Sequence, residues 1–111
     1  MKIAIAILLL TGIMVSYTNH LQHTKYSFIH HRKTIDTIVQ QIGIVYKTGT
    51  TDEPIYVLRC NGLYLNLFPA NLSQTFQHNQ LKVVFSGAMK AMHPMEDEYG
   101  QFFVITEMHK H

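Results

Sequence analysis

Hydrophobic and polar residues alternate most clearly between Ile55 and Ser86, where the chain reads IYVLR, CNG, LYLNL, FPANLSQTFQHNQ and LKVVFS. Apolar residues at every second position place one face of a strand in a core and the other toward solvent. Ile55–Arg59 and Leu63–Leu67 are predicted as strands two and three. Asn61-Gly62 lies between them, and that pair tolerates the positive φ of a type I′ hairpin turn. In strand three, Leu63, Leu65 and Leu67 alternate with Tyr64 and Asn66. Leu81–Ser86 is predicted as strand four, with Leu81, Val83 and Phe85 on one face, and Gln101–Glu107 as strand five. Between strands three and four, Asn71 can cap one or two helical turns over Pro69–Gln77, with Leu72 and Phe76 on one face.

Strand one is predicted over Asp36–Lys47 (DTIVQQIGIVYK), with Ile38, Ile42 and Ile44 on one parity and Val39 and Val45 on the other. It exceeds the usual strand length, and Gly43 near its middle predicts a bend or bulge. A long bent first strand lets one segment serve two sheets. Thr48–Pro54 is a turn by its Gly, Asp and Pro content. Gly87–Gly100 is expected to be a long loop, and the tail from Met108 is expected to fray.

Strand, strand, strand, helix, strand, strand is the order of an OB-fold. The predicted class is therefore all-β: a five-stranded, OB-like, partly open barrel with one short helix between strands three and four. The run from Tyr64 to Gly87 resembles the small exported OB-like domains of Gram-negative bacteria. It carries Asn71-Leu72, then Phe76, then Leu81-Lys82-Val83-x-Phe85-x-Gly87. The likeness covers about Ile35 to Glu107 and departs at Asn79-Gln80, where that family usually has a Gly. Asn also tolerates a left-handed turn, so the departure is mild. The resemblance implies a fold and a secreted address, and no functional residues.

The N-terminus changes the picture. Lys2 precedes an uninterrupted apolar run, Ile3 to Val15. As a helix this run spans roughly 20 Å, short of the ~30 Å hydrocarbon core, and reads as a secretory signal. Residues 1–18 are thus expected to be a signal peptide. The alternative is an uncleaved anchor in the inner membrane through residues 3–15, because Ser16-Tyr17-Thr18 is a poor cleavage site. Residues 19–33, polar and His-rich, are expected to be a flexible leader, with a weak amphipathic helix through Tyr26, Ile29 and Lys33 as the alternative. The barrel is expected over 34–108, with 109–111 as the tail. The expected location is periplasmic or extracellular.

Charge and cysteine narrow the chemistry. Beyond Thr18, eight Lys and Arg face seven Asp and Glu, so the basic excess that nucleic-acid binding requires is missing. One cysteine, Cys60, cannot form an internal disulfide. It has no neighbouring base in sequence and reads as structural. Glu96-Asp97-Glu98 lacks the alternating spacing of a calcium loop and reads as a solvated acidic loop.

No catalytic set is recognisable, so the expected function is a non-enzymatic exported binding module of the cell envelope, without a cofactor. Tyr56, Tyr64, Met92 and His93 are its candidate ligand-binding residues. The tyrosines can stack on a ligand, and Met89, Met92 and Met95 recur every three residues as an adaptable surface. Expected partners are an envelope protein or a small ligand, with membrane contact only through an uncleaved N-terminus. The competing reading is a metal-binding or metal-dependent protein. Glu107, His109 and His111 at i, i+2, i+4 share one face of an extended chain, and His93 could complete a zinc or copper site.

Overall fold

The computed structural model describes residues 25–111, so the expected signal segment and residues 19–24 of the leader lie outside the described residues. Five strands follow in chain order: β1 (Thr34–Gly49), β2 (Pro54–Cys60), β3 (Asn66–Pro69), β4 (Leu81–Lys90) and β5 (Gln101–Lys110). They close in the order β1-β2-β3-β5-β4. The first half of β1 pairs antiparallel with β4, from Thr34↔Lys90 to Val45↔Leu81. Its second half pairs antiparallel with β2, from Gly43↔Cys60 to Gly49↔Pro54. One parallel pair, β3 with β5, joins the two sides through Leu67↔Gln101, Phe68↔Phe102 and Pro69↔Phe103. The Ala70 N–H extends it by donating to the Phe103 carbonyl at 3.0 Å. This arrangement fits an OB-like fold, and the barrel is closed rather than partly open.

Register shifts in β1 (between Thr34 and Asp36 and between Ile38 and Gln41) and in β5 let long strands curve around the barrel. At the second β1 shift, between Ile38 and Gln41, Gln40 stands three residues before the glycine expected to carry the bulge. Gln40 takes φ +48° there, and its N–H donates to Ser86 Oγ at 2.8 Å. The extra residue flips the side-chain parity. Ile38 and Val45 consequently both pack on the inner core, while Ile42 turns out to solvent. The shared face expected for Ile38, Ile42 and Ile44 is broken for that reason. The bulge in β5, between Ile105 and Glu107, does the same for Ile105 and Met108.

The barrel interior holds Val45, Leu58, Cys60, Leu67, Val83, Phe85, Met89 and Phe103, with Leu72 as a plug. The Phe85 and Phe103 rings meet edge to face, 5.6 Å apart at 85°. Gly87 makes room for them: a Cβ there would collide with the Phe103 ring and the Val104 carbonyl.

A second cluster lies on the outer face of β2, β3 and β5: Ile55, Val57, Phe68, Ala70 and Phe102, covered by Ile29. Ile29 belongs to a 3-10 turn, Ser27–His31, and is wholly buried. Residues 25–33, expected as a flexible leader, are therefore a docked strap. Tyr26 and Ile29, named in the amphipathic alternative, pack in this cluster, and Phe28 packs edge-on against Phe102.

Other boundaries move too. β3 begins at Asn66, not Leu63, and Asn61-Gly62 does not close a two-residue hairpin. Leu63 N–H donates to the Cys60 carbonyl across that pair, and only Gly62 has positive φ (+89°). That is the geometry of a type II turn inside a wider loop. The expected helix reduces to one 3-10 turn, Gln74–Phe76, capped by Ser73 rather than Asn71. β4 and β5 each run further than expected. β4 reaches Lys90, and the tail expected to fray is paired through Lys110, with His111 N–H donating to the Lys82 carbonyl.

Candidate functional site

Strand alternation decides what the outer face offers. On β2, Tyr56, Leu58 and Cys60 face the inner core, and Ile55, Val57 and Arg59 face outward. The strap covers Ile55 and Val57 and stops short of Arg59. Directly opposite Arg59 on β3 stands Asn66. Arg59 Nε donates to Asn66 Oδ1 at 3.2 Å, and its guanidinium lies 4.8 Å over the Tyr46 ring of β1. A flexible side chain is thereby held in one orientation by a hydrogen bond and a cation–π contact.

The β4–β5 loop, Ala91–Gly100, supplies the opposite wall. Tyr99 packs on Phe68 with ring centroids 5.6 Å apart. Burial, and then the neighbouring Glu98 carboxylate, hold the Tyr99 phenol above its usual range. Gly100 abuts β3, where a Cβ would fall 2.5 Å from the Asn66 carbonyl oxygen, and its φ of +143° suits glycine alone.

Glu96 fixes this loop. Its carboxylate receives both Arg32 guanidinium nitrogens at 2.9 Å and the His93 N–H at 2.6 Å. The Arg32 hydrogen bonds, followed by that of His93, pull its carboxyl down to about 2. Arg32 in turn lies over the Phe28 and Phe102 rings. The acidic triplet is thus not uniformly solvated: Glu96 is a clasp between strap and loop, while Asp97 and Glu98 stay exposed.

Between these walls lies a shallow depression of about 330 Å³, lined by Tyr46, Lys47, Val57, Arg59, Asn66, Glu98 and Tyr99 among others. Two more adjoin it at Asn66. One, of about 330 Å³, runs under Leu63, Tyr64 and Leu65. The other, of about 390 Å³, runs along Met92, Asp97, Glu98 and Gln101. Together they form one band across the outer face.

Two of the four expected ligand residues border this band. Tyr64 is fully exposed on the β2–β3 loop, and Met92 lines the far depression while its Sδ accepts from Phe102 N–H at 3.4 Å. Tyr56 instead packs against the inner core, on the other face of the sheet. His93 is exposed at the loop start and lines none of the three depressions. The methionine recurrence does not make a patch: Met89 is inside the barrel, Met92 sits in the outer cluster and Met95 is exposed.

Of the residues of the metal reading, His93 stands apart from the other three. Glu107 and His109 are exposed on β5 opposite Ser86 and Val84, and His111 follows beside Lys82. His93 follows the other end of β4, on the order of 20 Å away along the strands. Glu107 accepts from Gln40 Nε2 at 2.6 Å. Among the described residues no three His, Cys, Asp or Glu side chains are arranged to hold a metal ion. Cys60 is 3% exposed, its thiol pushed up by burial and directed at the Asn61 carbonyl 3.6 Å away.

Tyr46, Arg59, Asn66, Glu98 and Tyr99 were not among the expected ligand residues. Arg59 carried a signal, being the one charge at an outward position of the IYVLR strand. Asn66 needed the correct start of β3 to be placed opposite it. No protein-family model matches the chain. Among curated proteins, none matches it.

Proposed function

We propose that this protein is an exported, non-enzymatic binding module of the cell envelope. Its ligand surface is the outer face of β1, β2 and β3 beside the β4–β5 loop. The observation that carries the reading is the band of three depressions meeting at Asn66. OB barrels take their ligands on the strand two and three face between flanking loops, and that face here is left open where the strap ends. The export half of the proposal rests on Lys2 and the apolar run from Ile3 to Val15.

The test is a small-molecule fragment screen on residues 25–111, read by amide chemical shifts. Hits are expected to converge on Tyr46, Arg59, Asn66 and residues 97–100. Consistent hits around Glu107 and His109 instead would move the surface to β5, and the outer-face reading would fall. Mass spectrometry of the protein from its native host tests export: a chain lacking about 18 N-terminal residues is expected, and the intact chain would favour the anchored form.

A further inference from the structure

We infer that the outer-face groove takes a short dipolar peptide, holding a ligand carboxylate at Arg59 and a ligand ammonium at Asp97 and Glu98. This rests on the binding-module reading and names its ligand class. The first argument is the state of Arg59. Its Nε is engaged by Asn66 and its plane is set against Tyr46, yet its two terminal nitrogens donate to no group among the described residues. A guanidinium fixed in orientation with both outer donors free is a preformed fork for a carboxylate.

The second argument is the distribution of charge. Arg59 and Glu98 line the same depression, and Asp97 and Glu98 continue along the next. None of Arg59, Asp97 and Glu98 is paired with an opposite charge within 4 Å among the described residues. A guanidinium and two carboxylates on one groove, unpaired with each other, suit a ligand carrying both signs. A polyanion would meet the acidic wall, and a neutral glycan would leave both walls unanswered.

The third argument is the floor. Asn66 spends its side-chain oxygen on Arg59, and its amide nitrogen, which donates to no group among the described residues, can serve a ligand carbonyl. Tyr46 and Tyr99 flank it, and Tyr64 stands exposed at the end of the band. Peptide carbonyls and small side chains match that mixture of one amide and apolar rings.

The probe is the tetrapeptide Lys-Ala-Ala-Ala with both termini free, titrated into residues 25–111 and followed by amide shifts. Shifts at Arg59, Asn66 and Glu98–Gly100 are expected. Amidating the peptide C-terminus, or Arg59→Gln, is expected to weaken binding about tenfold, and Glu98→Gln with Asp97→Asn several-fold. Arg59→Lys keeps the charge but loses the fork, and is expected to bind nearly as weakly as Arg59→Gln. All these side chains are exposed, and unchanged amide spectra away from the groove establish that the variants fold. Equal binding of free and amidated peptides overturns the inference, as does tighter binding of chitotetraose or an oligothymidylate at the same amides. If fragments map to the groove and the peptide does not bind, the ligand class is wrong. If nothing maps there, the binding face itself is wrong.

Discussion

At the scale of single residues, Asn71 shows how one side chain replaces a stretch of backbone. β3 stops pairing with β5 at Pro69↔Phe103, and β5 bulges against β4 just after Ile105. The Asn71 amide fills the gap: Nδ2 donates to the Ile105 carbonyl at 2.8 Å, and Oδ1 accepts the Ile105 N–H at 2.9 Å. An amide side chain presents the same donor and acceptor pair as a peptide group. Asn71→Ala leaves both Ile105 groups without partners beside the core, and is expected to lower stability by roughly 1–3 kcal/mol in urea denaturation. Asn71→Asp is nearly isosteric but turns a carboxylate oxygen toward the Ile105 carbonyl. It is expected to be destabilised at neutral pH and partly restored at low pH, where the protonated acid can donate. Full stability of Asn71→Ala would show that water replaces the side chain without loss. The sequence displayed Asn71 as a helix cap because Asn before an apolar residue is the usual cap signal. Its long-range partner, 34 residues away, carries no local signature.

At the scale of elements, the strap and the β4–β5 loop are held together by a clasp whose titration has a definite sign. Glu96 has its carboxyl lowered from 4.5 to about 2 in the folded protein, first by the Arg32 hydrogen bonds and then by that from His93. A depressed carboxyl contributes stability that is fully present above its unfolded value, near 4.5, and is lost as pH falls through the folded value, near 2. Glu96→Gln is therefore expected to flatten the acid limb of stability between those two pH values, compared with the unsubstituted chain. Denaturant midpoints measured at pH 5, 4, 3 and 2 read it directly. Parallel acid limbs for the two proteins would mean that the clasp is open in solution.

The legibility of these elements follows from the range of the forces that set them. The five strands and their order were readable because alternation is local, and so was the outward position of Arg59. The start of β3 was not, because Leu63, Leu65 and Leu67 keep period two across the loop, and only pairing with Leu58 and Arg59 chooses the register. The strap was missed for a related reason: Tyr26, Phe28 and Ile29 are a short apolar group in a polar run, and the burial of Ile29 is decided by the outer face of β2, β3 and β5. Glu96 could not be told from Asp97 and Glu98 without the Arg32 it meets, 64 residues away.

At the scale of the whole molecule, shape and charge point to different ligands, and charge decides between them. A closed OB-like barrel with an open outer face and exposed tyrosine is a shape on which single-stranded nucleic acid can stack. Affinity for a phosphate chain, however, comes from counterion release by several Lys and Arg along its path. The described face supplies Arg59 and sets Asp97 and Glu98 on the same groove. At physiological ionic strength the screening length is about 8 Å, so cations elsewhere on the surface cannot offset the acidic wall. A fluorescein-labelled oligothymidylate is accordingly expected to show no anisotropy change with residues 25–111 at physiological salt. Asp97→Asn with Glu98→Gln removes the repulsive wall and is expected to permit weak, salt-sensitive association. If the unsubstituted domain already bound the oligonucleotide with a steep salt dependence, the exposed tyrosine and Arg59 would outweigh the acidic loop. The face would then be a nucleic-acid surface, and the sign of its charges would have misled.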